Sequence, residues 1–126
     1  MAIIRYLVND TAESVAFYTE KLGFKLQNNF GPFAIIAKDD LTLWLADPRT
    51  SAAQPMLDGS KPVPGGWNRL VIEVDDVAGL VETLKAGGSK FRNELLSGIG
   101  GQQILLEDPS GNPTELIQPA ENRPQG

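Results

Sequence analysis

The sequence predicts an α+β fold in which one structural unit, a strand followed by a helix and three further strands (βαβββ), occurs twice. Each half of the 126-residue chain begins with an alternating apolar pattern, continues with an apolar stripe at helical spacing, and ends with short β-favouring runs. A shift of about 66 residues superposes Val8 on Val74 and Asp10 on Asp76. The same element order with matching identities indicates an internal duplication.

The first unit is predicted to begin with a strand within residues 2–10. Asp10 is predicted to cap a helix over residues 11–22, because its side chain can accept hydrogen bonds from the free backbone N–H groups of the first turn. Gly23 is expected to end this helix. The three strands that follow are predicted at 24–29, 33–38 and 41–47.

The second unit repeats this order, beginning with an alternating strand within residues 67–76. Leu70 and Ile72 are predicted to face the helix. Arg69 and Glu73 then lie on the opposite face of the same strand. The remaining elements are a helix at 77–87 and strands at 90–96, 102–107 and 113–118.

A segment rich in proline, glycine and serine joins the two units. We expect a single domain over residues 1–126, with units at about 1–48 and 66–120 and a linker at 49–65. A loop of about twenty residues in a compact domain is usually functional or mobile. This loop, with Trp67 directly after it, is therefore predicted to act as a lid over a ligand.

Composition excludes several functional classes. A formal net charge of −5 without a basic run disfavours binding to nucleic acid or to an anionic membrane surface. No apolar stretch approaches the roughly 20 residues of a membrane-spanning helix, and no signal peptide opens the sequence, so a cytoplasmic location is expected. The absence of cysteine and histidine removes disulfides, thiolate nucleophiles, the commonest metal ligand and the commonest general base.

The second unit closes on a segment that carries the signature Asp-Pro-x-Gly-Asn-x-x-Glu-Leu, from Asp108 to Leu116. Together with the two βαβββ units, this signature resembles the vicinal oxygen chelate superfamily. That superfamily includes glyoxalase I, extradiol dioxygenases, and fosfomycin and bleomycin resistance proteins. The resemblance covers nearly the whole chain. It implies curved mixed β-sheets that form a cup for a small-molecule ligand, and it implies a homodimer.

The resemblance also implies where a metal would bind. In the metal-dependent members four ligands come from equivalent positions of the two units, and these positions carry over to Ile3, Trp44 (or its competitor Thr42), Arg69 and Glu115. Isoleucine and tryptophan have no metal-binding atom in their side chains, and arginine brings a positive charge. We therefore expect no metal and no other cofactor, and we expect an ion pair between Glu115 and Arg69.

The function predicted from these features is the binding or sequestration of an aromatic organic ligand or antibiotic, because the cup would combine apolar walls with opposed charges. The alternative is a glyoxalase-like lyase or isomerase, or a dioxygenase, in which Glu115 is the catalytic residue as metal ligand or general base. A purely structural ion pair of Glu115, and core positions for both tryptophans, also fit the sequence. The expected ligand-binding residues are Ile3, Arg5, Trp44, Trp67, Arg69, Glu73, Gln103 and Glu115.

Overall fold

The computed structural model describes residues 2–120 and confirms the α+β fold, with two α-helices and nine β-strands in that range. The helices are α1 (Thr11–Lys21) and α2 (Val77–Ala86). The strands are β1 (Ile4–Leu7), β2 (Lys25–Asn29), β3 (Phe33–Lys38), β4 (Leu41–Ala46), β5 (Leu70–Glu73), β6 (Lys90–Phe91), β7 (Leu96–Gly98), β8 (Gly101–Glu107) and β9 (Pro113–Pro119). Neither helix of this part of the chain is long and apolar enough to cross a bilayer.

The first sheet has four strands in the order β1-β4-β3-β2. Strand β1 runs parallel to β4, whereas the other two pairs are antiparallel, so the sheet is mixed as predicted. Helix α1 packs on one face through contacts with β2, β3 and β4. Large buried side chains form the core of this unit, among them Tyr6, Phe17, Tyr18, Phe24, Ile36, Leu43 and Leu45.

The second sheet has five strands. Four of them follow the order β5-β9-β8-β6, and β7 also pairs with β8. Strand β5 is parallel to β9, and α2 contacts β9. Leu70 and Ile72 are 3% and 6% exposed, whereas Val71 between them is 54% exposed. The alternation predicted for β5 is therefore confirmed, and Arg69 and Glu73 lie on the same face as Val71.

Both helices begin as the sequence predicts. The side chain of Asp10 accepts a hydrogen bond from the Glu13 N–H, and the side chain of Asp76 accepts one from the Gly79 N–H. Each carboxylate satisfies a backbone donor that has no partner within the helix. Gly23, just beyond α1, has a φ of 77°, a left-handed conformation that glycine adopts without a steric penalty and that ends a helix.

The single strand predicted at 90–96 is wrong, because this segment divides into β6 and β7. The Arg92 N–H still donates to the Leu105 carbonyl. One residue later, however, the side chain of Asn93 accepts the Leu105 N–H at 2.8 Å. A side-chain amide thus takes the place of a backbone acceptor in the ladder and interrupts the strand. The second unit consequently has four strands after its helix instead of three.

The chain divides into two compact units that differ from the predicted halves at two segments. Unit 1 runs up to Gly65 and also contains Pro109–Asn112, whereas unit 2 contains Gly66–Asp108 and the residues from Pro113 onward. The linker predicted at 49–65 therefore belongs to unit 1. So does the turn of the Asp-Pro-x-Gly-Asn signature.

Candidate functional site

Unit 1 carries aromatic and cationic side chains on the face of its sheet opposite to the buried core, called here the open face. Arg5 on β1 pairs in register with Trp44 on β4, and residues opposite each other in neighbouring strands point to the same face. The guanidinium carbon of Arg5 lies 5.0 Å from the ring centre of Trp44 and 6.0 Å from that of Phe33. The rings of Phe33 and Trp44 meet edge to face, with centroids 5.3 Å apart. Two predicted ligand residues, Arg5 and Trp44, are thus brought together.

These side chains line a cavity of about 360 Å³, called here the arginine cavity. Arg5, Phe33 and Trp44 supply the walls from the sheet, and Thr50 and Ser51, at the start of the long loop, supply the remaining wall. Sequence reasoning placed Arg5 and Trp44 in a binding site but missed the other three residues. Phe33 lies on the open face because the alternate residues of β3, Ala34 and Ile36, are buried. The sequence of β3 is apolar except for Lys38, so it carries no alternation that could have predicted this face.

A buried carboxylate fixes the start of the loop that supplies this wall. Asp47 is 3% exposed and accepts hydrogen bonds from the backbone N–H and guanidinium of Arg49, at 2.9 and 2.6 Å, and from the Thr11 hydroxyl at 3.3 Å. The Thr50 N–H and hydroxyl both donate to the Asp47 carbonyl, at 3.0 and 2.8 Å. The hydrogen bond from the Arg49 guanidinium holds the pKa of Asp47 below its ordinary value. Asp47 therefore holds Thr50 against the arginine cavity.

In unit 2 the predicted ion pair between Arg69 and Glu115 is present. Two nitrogens of Arg69, Nε and Nη2, donate to the same carboxylate oxygen, Oε1, at 3.2 and 3.0 Å. The third nitrogen, Nη1, donates to the Trp67 carbonyl at 3.4 Å. The side chain of Glu115 is 12% exposed and that of Arg69 is 34% exposed, so the pair is partly shielded from water.

The positions that the resemblance assigns to metal ligands do not fit a metal ion. The Arg69 guanidinium occupies one position and engages Oε1 of Glu115. Ile3, which lies just before β1 and is 40% exposed, and Trp44 offer no donor atom. Within residues 2–120, no three carboxylates come together as a metal site. The second carboxylate oxygen of Glu115, Oε2, forms no hydrogen bond to any residue of that range.

Trp67 lies elsewhere in unit 2, where it is 70% exposed. A core position, which the sequence left open for this residue, is therefore wrong. The guanidinium carbon of Arg92 lies 4.6 Å from the centre of the Trp67 ring. Arg92 also donates to the Glu107 carboxylate at 2.9 Å and to the Gly66 carbonyl at 2.6 Å. Arg92, which sequence reasoning missed, thus holds the tryptophan and the residue before it.

Gln103 lines a second cavity in unit 2, of about 350 Å³. Ile117 pairs in register with both Gln103 and Glu73. Glu73 and Gln103 therefore share one face of the second sheet, the face that also carries Glu115. The other residues that line this cavity are uncharged: Leu96, Ser97, Gly98, Gly100, Gly101 and Ile117.

The turn of the Asp-Pro-x-Gly-Asn signature, interpreted from the sequence only as a tight connection, also organises unit 1. Asn112 is 3% exposed. Its amide nitrogen donates to the Leu7 carbonyl at 2.7 Å, and its amide oxygen accepts the Gly65 N–H at 2.8 Å. One buried side chain thus ties the end of the long loop to the end of β1.

Comparison with known proteins identifies the family. The sequence profile of the Glyoxalase/Bleomycin resistance protein/Dioxygenase superfamily matches residues 1–116. The chain is also 29% identical, over 128 aligned positions, to a probable chloroplastic lactoylglutathione lyase of Arabidopsis thaliana. That alignment covers 94% of this chain but 35% of the plant protein, so the chain spans about a third of that relative's length.

Two solved structures are similar to nearly the whole chain. An antibiotic-binding protein from Streptomyces sp. CB03234 superposes with a TM-score of 0.66 and 25% identity, over 95% of this chain and 97% of that one. A fosfomycin resistance protein from Listeria monocytogenes has a TM-score of 0.73 and 14% identity, over 96% and 93% of the two chains. Because the family profile extends over nearly all of the sequence, the chain belongs to the glyoxalase/bleomycin resistance protein/dioxygenase superfamily.

Proposed function

We propose that this protein binds a small aromatic organic molecule in the arginine cavity, without the help of a metal ion. The observation that carries the proposal is the Arg5 guanidinium, placed over the rings of Trp44 and Phe33 at a cavity of about 360 Å³. Ligand cavities in proteins usually have volumes of about 300–1,000 Å³ and combine apolar walls with a few polar groups. This cavity has the size and the lining for a molecule with one or two fused rings.

The aromatic walls favour a flat ligand. Phe33 and Trp44 are perpendicular to each other, at 88°, whereas Phe30 stacks on Phe33 with nearly parallel rings, at 11°. A third ring that enters the cavity can stack on one wall and meet the edge of the other, which are the two arrangements that aromatic pairs prefer. The polar groups at the rim, from Arg5, Thr50 and Ser51, would then orient its substituents.

The relatives support binding as the function and suggest one ligand class. The Streptomyces relative is named as an antibiotic-binding protein, and its chain matches this one over almost its full length. We therefore include aromatic antibiotics among the candidate ligands. The Arabidopsis relative is named as an enzyme, but this chain spans only about a third of it, so that name supports catalysis less directly.

Tryptophan fluorescence tests the proposal. The chain has two tryptophans, of which Trp44 lines the cavity and Trp67 lies exposed in unit 2. The Trp67→Phe variant therefore reports on the cavity alone, and the Trp44→Phe variant is its matched control. We expect at least one compound in a panel of aromatic antibiotics and aromatic metabolites to change the emission of Trp67→Phe saturably while leaving Trp44→Phe unchanged. A panel that changes neither variant, or both equally, would contradict the proposal.

A metal-free enzyme that uses Glu115 as a general base is the second candidate. The observation that favours it is Oε2 of Glu115, an oxygen of a largely buried carboxylate that has no hydrogen-bond partner within residues 2–120. The reaction to test is the one in the name of the Arabidopsis relative, lactoylglutathione lyase, measured in the presence of a chelator. Activity that is lost in Glu115→Gln would support this role. A wild-type rate equal to the uncatalysed rate would eliminate it.

A further inference from the structure

We propose that the arginine cavity selects aromatic carboxylates, that is, flat ring systems that carry a negative charge at one edge. This inference rests on the proposed function, because it names the ligand class of the same cavity. It follows from the positive charge of Arg5, from the position of its guanidinium near the two aromatic rings, and from the hydrogen-bond donors around it.

Arg5 differs from the other arginines of residues 2–120 in having no carboxylate partner. Those other arginines each form an ion pair at 3.0 Å or less, and the pairs are Arg49–Asp47, Arg69–Glu115 and Arg92–Glu107. The side chain of Arg5 forms no ion pair and no hydrogen bond with any residue of this part of the chain. A guanidinium stays charged at any physiological pH. The cavity therefore carries a positive charge that no carboxylate of residues 2–120 neutralises by an ion pair.

The contacts of Arg5 position the guanidinium without using its hydrogen-bond donors. Its guanidinium carbon lies 5.0 Å from the ring centre of Trp44 and 6.0 Å from that of Phe33. A cation over an aromatic ring is attracted by the electrons of the ring, and the N–H groups of the Arg5 side chain have no hydrogen-bond acceptor among residues 2–120. Two of those N–H groups match the two oxygens of a carboxylate in a bidentate pair. The rings of Trp44 and Phe33 would meanwhile contact the aromatic body of the same ligand.

The remaining polar groups of the cavity do not favour a cationic ligand. No acidic side chain lines it. The Thr50 hydroxyl donates its proton to the Asp47 carbonyl at 2.8 Å. The Asp47 carboxylate itself is occupied by Arg49 and Thr11. The Ser51 hydroxyl forms no hydrogen bond with a residue of 2–120, so it can donate to a bound oxygen. An anionic substituent thus has a cationic partner here, whereas a cationic substituent has no carboxylate partner among the lining residues and is repelled by Arg5.

Three probes with the same ring system test the selection in the Trp67→Phe background, where Trp44 is the reporter. They are 2-naphthoate, 2-naphthamide and 2-naphthylmethylammonium, which carry a negative, no and a positive charge. We expect the carboxylate to bind roughly ten- to a hundredfold more tightly than the amide, which is the range for charge-assisted hydrogen bonds. The ammonium compound should bind most weakly. Raising the salt concentration should weaken the binding of the carboxylate probe but not that of the amide, because salt screens the attraction between exposed charges.

Two substitutions of Arg5 assign the effect to its guanidinium. Arg5→Gln should lower the affinity for 2-naphthoate to that for the amide, and Arg5→Lys should restore part of it, since lysine keeps the charge but not the bidentate geometry. Lys90→Gln is the matched control, because it removes the same charge from an exposed strand of unit 2. It should leave the preference unchanged.

The outcomes separate this inference from the proposed function. Equal affinities for the three probes in the wild-type cavity would overturn the inference while leaving aromatic binding intact. A preference for the carboxylate that persists in Arg5→Gln would overturn the assignment to Arg5. No saturable change of Trp44 emission with any of the three would remove both the inference and the proposed function. The three probes are compared on the wild-type cavity, so this comparison remains valid even if an Arg5 variant does not fold.

Discussion

Removal of the Asn112 side chain should detach the end of the long loop from β1. In Asn112→Ala, the Leu7 carbonyl and the Gly65 N–H both lose their partner, at present 2.7 and 2.8 Å away. An unsatisfied buried donor or acceptor costs about 1–3 kcal/mol. Both partner residues are only half-buried, so water compensates for part of the loss. We therefore expect the free energy of unfolding to fall by about 2–3 kcal/mol.

Urea denaturation measures this loss. With a slope of about 2 kcal/mol per molar of urea for a chain of this size, the unfolding midpoint should fall by about 1–1.5 M. Ser110→Ala is the matched control in the same turn, because the Ser110 hydroxyl accepts a hydrogen bond from the exposed N–H of Asn9 at 2.8 Å. That control should lose less than about 1 kcal/mol.

A second substitution tests which half of the Asn112 amide matters. Asn112→Asp keeps an acceptor for the Gly65 N–H but replaces the donor to Leu7 by a carboxylate oxygen, which faces the carbonyl oxygen. This change should destabilise the protein at least as much as Asn112→Ala. If Asn112→Ala and Ser110→Ala unfold at the same urea concentration, the proposed role of Asn112 in tying the loop to β1 is wrong.

Three further predictions concern Asp47, the ion pair of Arg69 with Glu115, and the metal content of the protein. Because Arg49 holds the pKa of Asp47 below its ordinary 3.8, Asp47 stabilises the fold fully above that value and progressively less as the pH falls below it. The stability difference between wild type and Asp47→Asn, measured by urea denaturation, should therefore shrink from pH 6 to about pH 3. A difference that stays constant over this range would refute the stabilising role of the Asp47 charge. Arg69→Ala should lower the free energy of unfolding by about 1–2 kcal/mol, a figure that is reduced because Arg69 is partly exposed. Glu115→Gln in the Arg69→Ala background should recover part of this stability. If it recovers none, the unpaired charge of Glu115 is not the cause of the loss. Elemental analysis should find far less than one zinc, iron or nickel per chain, and a full equivalent that disappears in Glu115→Ala would contradict metal-independent binding.

The elements that the sequence predicted correctly depend on neighbours along the chain. Asp10 and Asp76 cap helices through residues three positions away, and the alternation of β5 is a local pattern with period two. The pair of Arg69 and Glu115 needed more than local information. It could be predicted because the resemblance aligned the two strands that carry these residues.

The features that the sequence did not predict depend on contacts between distant residues. Asn112 binds a carbonyl 105 positions earlier, and nothing in the turn sequence distinguishes that amide from one exposed to solvent. Asn93 interrupts a strand because its side chain meets the Leu105 N–H, 12 positions away. Thr50 and Ser51 reach the arginine cavity only because the loop is fastened at its start. Residues of this kind carry no periodic signal, so only the folded chain identifies them.

The most direct test of ligand binding at the arginine cavity is a two-dimensional ¹H–¹⁵N NMR titration with 2-naphthoate. The spectrum contains one indole N–H signal from each tryptophan, assigned with Trp67→Phe, and an Nε–H signal from Arg5, assigned with Arg5→Lys. We predict that the signals of Trp44 and Arg5 shift saturably with one common dissociation constant, while the signal of Trp67 stays in place. Shifts confined to Trp67, or no saturable shift of Trp44 and Arg5, would contradict ligand binding in this cavity.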